Sequence, residues 1–193
     1  MVRRISAAPA LGVPGQAEGR ATLQSDRGDE TQALFMYQWA AGVIALAGAL
    51  ASLNEYVAIW CEHHDDLLAE LPTGEFHAIQ VKTVSTQGAT WTCGDPGFVD
   101  AVRKFAEHES KYSAQIQRYI FFSNARPYIP GKTAKAPTKL ASSPLRVRDE
   151  CRSAVRVGNI PAPYKATFDS LVQASGALPE VMFKVLTKLG FQV

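Results

Sequence analysis

Apolar positions change their spacing several times along the chain, and each change predicts an element. Residues 1 to about 25 are rich in Ala, Pro and Gly without periodicity. Such text cannot supply a packed face and predicts a disordered lead-in. From Ser25 the pattern turns helical: Ser25 or Asp26 can cap, Asp29 and Glu30 sit where the helix dipole favours negative charge, and an Ala/Leu-rich run follows. One long helix over about 29 to 53 is predicted. Its second half is apolar on nearly every face, with Gly42 and Gly48 permitting close approach. That all-round pattern predicts a scaffold helix packed against a sheet, off the surface.

The next segments are β-branched, aromatic or alternating. Tyr56 to Glu62, Asp66 to Leu71 and Phe76 to Val84 read as strands, and Pro72-Thr-Gly-Glu75 reads as the turn of an antiparallel hairpin. Period two puts Phe76, Ala78, Gln80 and Lys82 on one face of the third strand and His77, Ile79, Val81 and Thr83 on the other. A Gly/Thr/Pro-rich loop leads to a helix over about 98 to 112, then to a strand from Arg118 to Ser123 with a buried middle. Amphipathic segments over about 164 to 175 and 180 to 189 close the chain. The order helix, three strands, helix, strand predicts an α/β fold with a mixed sheet flanked by helices. One domain over 26–193 is expected, with a core to about residue 125 and a basic, helical extension over 126–193.

Composition narrows the class. With 193 residues, 47% hydrophobic and 20% charged, the chain can bury one ordinary core. A net charge of +2 neither requires nor excludes a polyanionic partner. Three cysteines, Cys61, Cys93 and Cys151, have neither even number nor CxxC spacing, which argues against a disulfide framework and fits a reducing cytoplasm. The longest apolar stretch, Trp39 to Leu53, is shorter than the roughly 20 residues of a membrane-spanning helix. No G-x-S-x-G elbow is present, so a serine hydrolase has no support. His63 and His64 lie beside Cys61, Glu62 and Asp65, but neighbours on a strand point to opposite faces and cannot converge on a zinc ion.

The hairpin carries the candidate chemistry. Asp66 begins one strand while Gln80 and Lys82 lie on its partner, so a carboxylate, an amide oxygen and an ammonium can be brought into one cluster. Mg²⁺ prefers oxygen ligands and needs only one or two carboxylates beside a carbonyl, waters and a substrate phosphate. A lysine at that place can orient water and offset charge on the reacting phosphate. Past Asn124 the chain is basic, with Arg126, Lys132, Lys135, Lys139, Arg146, Arg148, Arg152, Arg156 and Lys165 facing only Asp149 and Glu150. This stretch reads equally as a solvated loop or as a backbone-phosphate contact without base readout.

Arg27-Gly-Asp-Glu-Thr leading to Tyr37-Gln38, then Glu62-x-x-x-Asp66, then Ile79-Gln-Val-Lys-Thr83, then Phe122-Ser-Asn124 form an ordered set over residues 25 to 125. The set resembles the PD-(D/E)xK nucleases, and within them the QxK variety of the N-terminal endonuclease domain of CD-NTase-associated (CBASS) anti-phage effectors. The resemblance implies a restriction-endonuclease-like α/β/α core that cuts double-stranded DNA with Mg²⁺, or Mn²⁺ as a substitute. It makes Asp66 the metal-binding aspartate, Gln80 the occupant of the usual second acidic position, and Lys82 the catalytic lysine. It gives the backbone carbonyl of Val81 to the metal, with Glu62 as a compensating ligand and Gln38 as an outer contact. Arg126, Lys132 and Lys135 would meet the DNA. It further implies a sensor or ATPase domain or subunit that gates cutting; a homo-oligomer is expected separately, because both strands of a duplex must be cut. The neutral Gln80 keeps open a catalytically silent module that binds nucleic acid or a partner, and an RNase on the same core is a further alternative.

Overall fold

The computed structural model describes residues 27–61, 66–131 and 136–193. The lead-in before residue 27, together with Glu62, Lys132 and Lys135, lies outside them. Helix α1 (Arg27–Leu50) is followed by strands β1 (Ala58–Cys61), β2 (Asp66–Glu70) and β3 (Phe76–Lys82). A short strand β4 (Thr90–Trp91), helix α2 (Pro96–Tyr112), strand β5 (Ile116–Ser123) and a short strand β6 (Arg126–Pro127) come next. Helices α3 (Pro137–Ala141), α4 (Pro144–Ser153), α5 (Ala162–Ser175) and α6 (Pro179–Lys188) lead into a last strand, β7 (Leu189–Gln192).

The five main strands form one mixed sheet in the order β1-β2-β3-β5-β7. β1, β2 and β3 pair antiparallel, whereas β3, β5 and β7 run parallel. The β2–β3 turn closes through the Leu71 amide on the Glu75 carbonyl at 2.9 Å, and Gly74, at φ 79°, holds a backbone conformation that side-chain-bearing residues rarely adopt. Parallel pairing of β3 with β5 requires a crossover, and α2 supplies it. Its apolar stripe, Phe98, Ala101, Val102, Phe105 and Ala106, is buried against the sheet. Gly97 allows α2 to start directly over Trp91, because a Cβ there would lie 2.8 Å from the indole.

The two faces of β3 separate two cores. Ile79 and Val81 join Leu67, Ala69, Ile120 and Phe122 beneath Ala41 of α1. Ala78 joins Tyr119, Phe121 and the buried residues of α2, α4, α5 and α6 on the other side. The result is a helix–sheet–helix sandwich, an α/β fold with a mixed central sheet. Residues beyond 136 are structural partners of the core: β7 extends the sheet beside β5, and Val147, Cys151, Phe168, Met182 and Val185 fill the second layer. Glu109, buried in α2, receives hydrogen bonds from the Tyr119 hydroxyl and the Lys188 ammonium, both at 2.8 Å. Lys188 also donates to the carbonyls of Ser113 and Ile116, which fixes the α6–β7 junction to the α2–β5 turn.

The expectation that α1 lies off the surface is corrected. One side of the helix, through Gln38, Ala41 and Gly42, is buried against the sheet, while Met36, Trp39, Val43 and Leu50 on the other side are exposed. A single helix layer can cover only one side of a helix that is apolar all round. No described helix is long and apolar enough to cross a membrane.

Candidate active site

The site begins with the register of the hairpin. Asp66, the first residue of β2, is paired directly with Gln80 of β3. Beyond that pair β3 continues to Lys82 with β5 as its partner, Val81 opposite Phe122 and Lys82 opposite Ser123. The backbone positions of Asp66, Gln80, Val81 and Lys82 therefore lie together at the carboxyl end of β3. The carboxyl ends of parallel strands are where open α/β sheets place their ligands.

Gln80 is fully buried, on the sheet face covered by α2 and beside Phe121. The Lys82 side chain, 17% exposed, opens to solvent further along the same face. Val81 points into the α1 core, so only its backbone is available for the site. Gln38 is buried on the face of α1 that carries Ala41 against the sheet.

A residue that periodicity did not single out completes the geometry. Asp100 of α2 accepts from the Lys82 ammonium at 2.8 Å through one oxygen and from Arg103 at 2.6 Å through the other. Arg103 also donates to Glu107 at 2.6 Å. Partial burial acts to raise the Asp100 carboxyl, but hydrogen bonds from Lys82 and Arg103, with the charges of Lys82 and Lys104, outweigh it and hold the group at about 2. The folded value lies below the ordinary ~3.9, so the stabilisation is present above about pH 4 and is lost as pH falls toward 2. Because the carboxylate is 36% exposed, the pair is worth under about 1 kcal/mol to the fold. The stability difference between the wild type and Asp100→Asn, measured by urea denaturation, should stay constant from pH 8 to about 5 and close between about 4 and 2.

The strand ends are clamped around this cluster. Asn124 accepts from the Val84 amide and donates to the Val84 carbonyl, both at 2.9 Å, which ties the chain leaving β3 to the chain leaving β5. Ser123, opposite Lys82, accepts from the Trp91 indole at 2.8 Å, and Trp91 packs edge-on against Phe121 at 5.3 Å. Among the described residues no three His, Cys, Asp or Glu side chains gather as a preformed metal cage.

Set beside known proteins, residues 26–189 match the family model described as "Cap4, dsDNA endonuclease domain". The chain belongs to the Cap4 double-stranded DNA endonuclease domain family. It is also similar to the solved structure of an Acinetobacter baumannii Cap4 SAVED/CARF-domain containing receptor, at 14% identity and a TM-score of 0.43. That match covers 83% of this chain and 32% of the receptor, so the chain spans about a third of its length. No curated protein matches the chain.

For a Cap4-type nuclease domain, the basic tract after Asn124 divides in two. Arg152 donates to the carbonyls of Thr187 and Leu189, Arg148 pairs with Asp149 and lies 5.6 Å over the Phe191 ring, and Lys165 pairs with Asp169. These three cations serve the fold. Arg126, by contrast, is exposed on β6, a few residues past the end of β5.

Proposed function

We propose that this Cap4-type domain hydrolyses phosphodiester bonds of duplex DNA with Mg²⁺, or Mn²⁺ in its place, at the carboxyl end of β3. The observation that carries the reading is the direct pairing of Asp66 with Gln80, two residues before a lysine held by Asp100. The donor set is a carboxylate, an amide oxygen and a backbone carbonyl, from Asp66, Gln80 and Val81, with Glu62 as a further candidate. All are hard oxygen donors of the kind Mg²⁺ prefers, and a three-carboxylate cage is not required for an ion that keeps several waters. When bound, such an ion supplies Lewis-acid charge against the phosphate.

The residues of the chain do the rest. The Lys82 ammonium offsets negative charge that develops on the reacting phosphate and orients the attacking water. Asp100 keeps that ammonium in place, and Asp100→Asn is expected to lower the single-turnover cleavage rate about tenfold with little change in DNA affinity. Arg126, with Lys132 and Lys135, meets backbone phosphates, which gives salt-dependent binding and little sequence preference. In this reading the domain is an effector of bacterial anti-phage defence whose cutting is gated by a sensor or ATPase domain or subunit.

The test is parallel digestion of duplex DNA and structured RNA in Mg²⁺ and in Mn²⁺. Cutting of duplex DNA is expected, and RNA cut in preference would assign an RNase on the same core. The neutral Gln80 favours one other reading, a silent module. Tight, salt-sensitive DNA binding without cutting in either metal would establish it in place of the nuclease.

A further inference from the structure

The uncovered side of α1 forms an ordered surface. Met36, Ala40, Val43, Ala47 and Leu50 recur at alternating spacings of four and three residues, all exposed, which is the seam of a helix that packs along another helix. Met36, Trp39, Val43, Ile44, Leu46 and Leu50 are 44–90% exposed, and together they show on the order of 800 Å² of side-chain surface, about what each partner brings to a standard protein interface. Patches of that size on a soluble domain mark interaction sites. No charged residue occurs from Thr31 to Asn54, so the surface holds no charge that would select an unlike, oppositely charged partner.

We infer that this face of α1 packs antiparallel against the same face of a second copy of the chain, about a two-fold axis through Val43. The order of side chains supports that occupant. In such an arrangement Trp39 lies opposite Ala47, Leu46 opposite Ala40, and Met36 opposite Leu50, so two of the three bulky contacts face a small residue. A two-fold contact is self-complementary by construction, and this large-against-small order is what lets two identical helices interlock. Beside the seam, Ile44, Ala47 and Gly48 border a 520 Å³ apolar groove between α1 and the sheet, where partner side chains can be received.

The inference stands apart from the nuclease reading, and its test needs no catalysis. Sedimentation equilibrium of the full chain should show a dimer whose dissociation constant rises at least about 100-fold in Val43→Glu. Val43 is exposed, so the variant should keep its circular dichroism spectrum. In a Cys61→Ser background, Val43→Cys should cross-link under mild oxidation. Leu50→Cys should not, because its two copies would lie about 20 Å apart along antiparallel helices. A monomer at all concentrations, a dimer indifferent to Val43→Glu, or equal cross-linking through residue 50 would overturn the inference. Monomers that co-sediment with phosphatidylcholine vesicles would also overturn it, by assigning the face to a lipid surface.

Discussion

Lys82→Ala is expected to slow single-turnover cleavage of duplex DNA by about 10²–10³-fold, the usual cost of removing one preorganised group that faces developing charge. The effect should fall on the chemical step. Lys82 is one cation at the end of β3, whereas DNA affinity is spread over several phosphate contacts. Stability should change by less than about 1 kcal/mol, because Asp100 keeps its second partner, Arg103, when the ammonium is lost. Lys82→Arg should restore the charge without restoring the rate, since a planar guanidinium does not place its donors where a compact ammonium does. Quench-flow rates at saturating DNA, beside filter-binding affinities, separate these effects. Cleavage by Lys82→Ala within about threefold of wild type would remove Lys82 from the chemistry.

The largest structural effect should come from Phe121→Ala. Phe121 is buried at the centre of the second core, with ring contacts to Trp91 at 5.3 Å, Phe98 at 5.4 Å and Phe191 at 6.1 Å. Those partners come from β4, α2 and β7, so truncation opens a cavity where three elements meet. Such substitutions cost about 3–5 kcal/mol, which for a chain of this length lowers the melting temperature by roughly 10 °C. Phe121 is also the β5 neighbour of Gln80, so cleavage should fall even at temperatures where the variant is folded. Denaturant titration checks the first effect, and a loss below about 1.5 kcal/mol would mean that the aromatic cluster is not packed as described.

Much of this arrangement is legible in the chain because local pattern and tertiary role agree. The β2–β3 hairpin carries its own turn signal at Pro72 to Glu75, and period two assigns Gln80 and Lys82 to one face before any partner is known. Helix α2 announces Val102, Phe105 and Ala106 of its buried stripe by their helical spacing, whereas Val99, at the same spacing, is only partly buried. Other features exist only through contact. β7 follows α6 without an intervening turn, and its four residues become a strand only by pairing with β5; the sequence alone carries the final helix to about residue 189. α4 is short and polar, although the Ser143 cap followed by Pro144 is a readable start signal.

The site divides in the same way. Asp66, Gln80 and Lys82 are visible because one hairpin joins them. Asp100 is an ordinary helical carboxylate until the crossover lays α2 over the end of β3. The basic tract looks uniform in one dimension, yet the fold uses Arg148, Arg152 and Lys165 for its own contacts. The exposure of half of α1 is likewise invisible to periodicity, since a helix apolar all round gives no sign of which side is covered.

Under the proposed function, Asp66 and Gln80 form a metal-dependent cutting site at the end of the hairpin. Its most direct test is cleavage of supercoiled plasmid by the wild type and by Asp66→Asn, with Mn²⁺ binding followed by electron paramagnetic resonance on the same samples. Cutting is expected to require Mg²⁺ or Mn²⁺, to stop with EDTA, and to be lost in Asp66→Asn together with the bound-Mn²⁺ signal. Cutting that persists in EDTA, or Asp66→Asn that binds Mn²⁺ and cuts like the wild type, would contradict it.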